Sequence, residues 1–150
     1  MLMFFRILGA FIAVGAFCFL WLVPKKFILP ASLVGAAGCW VYLFVTGLGY
    51  SAEIATFLAG CLICVCGQLL ARRLRTPVTE FVIPGILPLV PGAGMYNIVA
   101  SIIMPGEMAY STAYYFTDTL CIAGMIAVSI IVVDSFFHAI RYIERTFKKA

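Results

Sequence analysis

Five long apolar runs, at 2–23, 27–46, 53–71, 78–104 and about 117–137, follow one another with only short polar stretches between them. A bilayer core about 30 Å thick is crossed by roughly 20 apolar residues in a helix. In hydrocarbon a backbone must satisfy its own polar groups, and an isolated apolar run can do so only as a helix. The pattern therefore predicts an all-α integral membrane protein with five transmembrane helices. With 65% hydrophobic and 11% charged residues, the 150-residue chain is outside the range of water-soluble domains. The spans use most of it, so residues 1–150 are expected to form a single membrane domain, with 138–150 as a basic cytoplasmic tail. The first run is too long for the apolar core of a signal peptide, and its main charges, Lys25 and Lys26, follow it. It is expected to stay as a membrane helix.

The basic residues set the expected orientation. Lys25, Lys26, Arg72, Arg73, Arg75, Arg141, Arg145, Lys148 and Lys149 fall in alternate loops and in the tail. Basic residues collect on the cytoplasmic side. The other two loops, "GLGYS" and "PGEMAYSTAYYF", have neither lysine nor arginine, and Glu53, Glu107 and Asp118 lie in or beside them. The amino terminus is thus expected outside and the carboxyl terminus inside, in the inner (plasma) membrane of the cell. Arg6, the one exception, can snorkel to the outer surface. In the tail, Ile140, Ile143 and Phe147 share a helical face with basic residues on the others, which fits a helix on the anionic inner leaflet and not a nucleic-acid site.

Little in the chain suggests chemistry. Cys18, Cys39, Cys61, Cys64, Cys66 and Cys121 all lie within apolar runs and read as small hydrophobes, and in "CLICVC" Cys66 faces away from Cys61 and Cys64. His138, the single histidine, sits at a membrane edge. No nucleophile, acid–base set or ligand cluster stands out, so neither an enzyme nor a metal or cofactor site is expected.

The fourth run contains "PGILPLVPGAGMYN", residues 84–97. Pro84, Pro88 and Pro91 supply no amide hydrogen, which would leave the carbonyls of Glu80, Pro84 and Leu87 without helical donors, and each interior proline costs about 3 kcal/mol. Residues before proline are pushed toward extended angles, while Gly92 and Gly94 admit angles closed to other residues. The fourth helix is therefore expected to be discontinuous, unwound near 84–94 at the bilayer midplane, with half-helices at 78–87 and 95–104. Such backbone is tolerated in a membrane only where it is buried in protein or lines a water-filled cavity. The second half-helix would aim free amides and its positive dipole end at the break, beside Tyr96 and Asn97. That is a place for a small carboxylate. A proline kink serving packing alone is the competing reading.

The stretch "PGILPLVPG" followed by Tyr96 resembles the proline-rich motif of the threonine/serine exporter family, and "PLVPG", Pro88 to Gly92, is its most specific part. The "RRLRTP" loop before it, the five spans and the basic tail are similar to the small subunit of that family's two-component form. The resemblance implies an exporter of threonine and serine, or of a dicarboxylate such as succinate, driven by the proton gradient. It also implies a larger five-span partner subunit with a cytoplasmic domain. Because five is odd, two such halves in sequence would have opposite orientations, and a half that starts outside and ends inside suits the second position. Pro84, Gly85, Pro88, Pro91, Gly92, Gly94, Tyr96 and Asn97 are then the candidate substrate-binding or gating residues.

Ionisable residues within spans are candidates for proton coupling. Glu80, Asp118 and Asp134 qualify, and the sequence puts none of them beside the break. Gln68 reads as an interhelical hydrogen bond and not as a ligand. The rival function is a non-transporting scaffold or assembly subunit, in which substituting Pro91 or Tyr96 would lower complex yield without altering transport.

Overall fold

The computed structural model describes residues 2–104 and 110–147, apart from the side chains of 2, 141 and 143–147. Glu107 and the end of the tail lie outside the described residues. The chain is helical throughout: α1 (Leu2–Leu20), α2 (Lys25–Gly47), α3 (Ala52–Leu74), α4 (Thr79–Ile86), a 3-10 turn (Leu87–Leu89), α5 (Gly92–Ile103) and α6 (Thr112–Phe147). Four helices are long and apolar enough to span a membrane, and the bent pair formed by α4 with its 3-10 turn and α5 makes a fifth if counted as one.

The punctuation acts as its chemistry requires. Helix α3 stops where Arg75 takes left-handed angles, φ 51°, and the Thr76 amide bonds back to the Ala71 carbonyl at 3.1 Å. Pro77 then prevents continuation. Between α2 and α3 the chain turns through Gly49 at φ 89°, a conformation that glycine adopts without a Cβ penalty.

Helices α2 and α3 form the centre. Helix α1 packs on α2, α6 packs on α3, and α4 lies in the groove against α1, α2 and α3. Phe81, Val82, Pro84, Gly85 and Ile86 of α4 are buried, with the Phe81 ring edge-on to Phe27 at 5.8 Å between centroids. The core around them includes Val34, Ile63, Cys64, Val133 and Phe137. Helix α4 meets α2 where Gly85 lies against Val34 and Ile63, and a Cβ there would come within 3.0 Å of Ile63 Cγ2 and 3.9 Å of the Gly35 amide nitrogen. Overpacking of this kind costs about 1–3 kcal/mol. Gly85→Val is therefore expected to lower the midpoint of thermal unfolding in detergent, while Gly47→Val, at a site with open space around it, should not lower it comparably.

Three expectations are corrected in detail. The helix continues through Pro84 to Ile86, so the break is narrower than 84–94. Helix α6 begins at Thr112, before 117, which places Tyr114, Tyr115 and Phe116 on the helix. It then runs unbroken to Phe147, about 54 Å at 1.5 Å per residue. Residues 138–147 thus prolong the last helix and do not form a separate element. Of the cysteines, Cys18 and Cys64 are buried, but Cys121 is exposed and is no core residue.

Candidate functional site

The break lies close to the middle of the bent span. Helix α4 rises about 12 Å, the 3-10 turn about 6 Å, and α5 about 18 Å, with a 44° bend between the two parts. The prolines explain its form. Pro88 cannot donate to the Pro84 carbonyl, which accepts instead from the Leu87 amide. The Leu87 carbonyl, which Pro91 cannot reach as a donor, takes the Val90 amide at 3.2 Å. Val90, ahead of Pro91, is extended at φ −61° and ψ 130°. The Val90 carbonyl then accepts from the Gly92 amide at 2.8 Å. The carbonyls of Pro84 and Leu87 are therefore satisfied by tighter turns, contrary to the expectation that they would lie open. What remains open is the start of α5: no side chain caps it, and the Ala93 and Gly94 amides have no backbone acceptor outside the helix.

Helix α4 is antiparallel to α3, because Gly85 meets Ile63 while Gly67 meets Val82. Helix α5 is antiparallel to α6, because Gly94 meets Thr119 while Ser101 Oγ lies 3.0 Å from Thr112 Oγ1. Helices α3 and α6 are parallel, with Gly60 against Ser129 and Gln68 bonded to Asp134. Helices α4 and α5 therefore advance in the same sense, and the chain does not double back at the break.

A cavity of about 420 Å³ opens at the break. Pro88, Pro91, Gly92, Gly94 and Asn97 line it, as does Asp118 of α6. The cavity extends to Ala52 and Thr56 at the start of α3 and to Tyr110, Tyr114 and Tyr115 around the start of α6, so it reaches the bundle end opposite the basic loops. Among the described residues Asp118 is its only charged group, and neither the Asp118 nor the Asn97 side chain has a hydrogen bond or ion pair.

The other sequence candidates lie elsewhere. Pro84 and Gly85 are buried in the packing of α4. Tyr96 is 73% exposed on α5 and does not line the cavity. Asp134 accepts a 2.9 Å hydrogen bond from Gln68 Nε2, joining α3 to α6 as expected of Gln68, and both border a second cavity of about 320 Å³. Glu80, in the first turn of α4, has a buried Oε2 without a hydrogen-bond partner. Sequence reasoning missed Tyr42, Thr56 and the three tyrosines. The "YSTAYY" run was the available signal, but it read as loop.

A discontinuous helix opening onto a cavity within a bundle of membrane-length helices is the build of a membrane transporter. A family model described as "Threonine/Serine exporter, ThrE" matches residues 6–136. The chain belongs to the threonine/serine exporter family, and it is a multi-span membrane transport protein and not an enzyme. No solved structure matches it.

Proposed function

We propose that this chain is one half of a secondary transporter in the inner (plasma) membrane, exporting small carboxylate-bearing metabolites together with a larger five-span partner subunit that carries a cytoplasmic domain. The carrying observation is the cavity at the break, where the uncapped start of α5 meets Asn97 and Asp118. Unpaired amides at a helix start favour a carboxylate, and a second half-helix aimed at a break is a recurrent way to hold one inside a membrane. The bent pair counts as one span, giving five with the amino terminus outside and the basic end inside. Threonine, serine and a dicarboxylate such as succinate are the candidate substrates.

Reconstituting the chain in liposomes alone and with its partner tests the assignment. Efflux of threonine, serine or succinate is expected only from the pair. Full activity of the chain by itself would contradict the half-transporter reading.

Export is proton-coupled in this proposal, and Glu80 carries the proton. Asp118 faces the cavity and Asp134 is engaged by Gln68, whereas one Glu80 oxygen is buried and without a partner. Ionisable groups held inside a membrane bundle mark proton pathways. Glu80→Gln is expected to leave downhill exchange intact while removing the acceleration produced by an imposed pH gradient. Retention of that acceleration would assign the proton elsewhere.

A further inference from the structure

The cavity holds one carboxylate, Asp118, and no lysine or arginine among the described residues that line it. A pocket serving only anions would be expected to offer the opposite balance, since like charges at close range repel. Beside Asp118 stands an aromatic wall. Tyr110 stacks on Tyr114 with centroids 4.5 Å apart, and Tyr115 meets both edge-on, at 6.1 Å from Tyr110 and 5.9 Å from Tyr114. All three line the cavity. Tyr114, Tyr115 and Asp118 lie within about one turn of α6, so a single helix holds the carboxylate and two of the rings in register. A carboxylate bordered by aromatic rings is the surrounding that a small organic cation prefers: the carboxylate accepts its N–H bonds and the ring faces attract its charge.

We infer that Asp118, with the Tyr110, Tyr114 and Tyr115 wall, forms an ammonium-binding subsite that selects amino acids over dicarboxylates in this cavity. The inference rests on the transport reading above and sharpens it. A zwitterionic amino acid presents one ammonium and one carboxylate on the same carbon, and the cavity sets Asp118 and the tyrosines on α6 across from the break and Asn97 on α4 and α5. Succinate has no group for the Asp118 side, and its second carboxylate would meet the Asp118 charge. Asp118 is thus a specificity-determining residue, and the tyrosines help to position the cation.

Competition in the reconstituted complex tests this with threonine and 3-hydroxybutyrate, which is threonine without its amino group, and with succinate. Each is given as an unlabelled competitor against labelled threonine. Wild type is expected to favour threonine over 3-hydroxybutyrate by about tenfold or more, the worth of one charge-assisted hydrogen bond. Asp118→Asn should bring that ratio toward one, Asp118→Glu should retain a preference, and Tyr114→Leu should reduce it severalfold. The wild-type comparison needs no variant to fold. Equal competition by 3-hydroxybutyrate or succinate in wild type, or an undiminished preference in Asp118→Asn, overturns the subsite and leaves the exporter reading standing. Wild-type vesicles that export none of the three compounds overturn both.

Discussion

Gly94→Leu is expected to reduce export by at least about tenfold, and Gly94→Ala to reduce it by less. At Gly94, α5 comes so close to α6 that an added Cβ would collide with Thr119 Oγ1 and lie 3.3 Å from Thr119 Cβ and 3.4 Å from its Cγ2. The hydroxyl cannot easily yield, because it donates a 2.7 Å hydrogen bond to the Tyr115 carbonyl. Helix α5 would have to move away from α6, at a cost of about 1–3 kcal/mol for an overpacked contact. The two helices carry opposite walls of the cavity, so their separation changes its shape. Thr119→Ala removes the clashing atoms. Gly94→Ala combined with Thr119→Ala should therefore recover most of the export lost in Gly94→Ala alone, and failure of that recovery would mean that this contact does not set the cavity.

The second large effect concerns the break itself. In the double variant Pro88→Ala with Pro91→Ala, both missing amides return and can reach the Pro84 and Leu87 carbonyls, so a continuous helix over 79–103 becomes available. Removing a 44° bend would carry the far end of α5 on the order of 10 Å from its place beside α6. Export is expected to fall below detection. Thermal stability and yield of the complex should hold or rise, because alanine is the better helix former. If the prolines served assembly alone, the outcome would be reversed: lower yield of complex, with normal transport by what assembles.

Much of the fold could be read from apolar run length alone. The four uninterrupted helices needed no tertiary information, since hydrocarbon leaves a run of 20 apolar residues few alternatives to a helix. The break was legible because proline acts locally. Its extent was not, because whether Pro84 interrupts a helix depends on packing: here α4 is buried against α2 and α3, and the Pro84 carbonyl finds the Leu87 amide. The grouping of site residues was legible only in part. Pro88, Pro91, Gly92, Gly94 and Asn97 are contiguous in sequence and share the cavity, but Asp118 joins them through the antiparallel register of α5 and α6, which a single sequence does not show. Tyr96, adjacent to Asn97, points elsewhere because neighbouring residues on a helix stand about 100° apart. The tyrosine wall was missed because α6 starts earlier than hydropathy alone suggests, its first turn being rich in Thr and Tyr and not in aliphatic residues.

The central claim, that substrate passes through the cavity at the break, is tested most directly by thiol labelling at Asn97. In a complex whose chain has its six native cysteines replaced, Asn97→Cys should react with a small membrane-impermeant methanethiosulfonate from the side opposite the basic loops, and saturating threonine should slow that reaction severalfold. Labelling should also block efflux, while the same reagent at Tyr96→Cys, on the exposed face of α5, should leave it running. Labelling of Asn97→Cys that proceeds at the same rate with threonine present, and leaves efflux intact, would contradict the account.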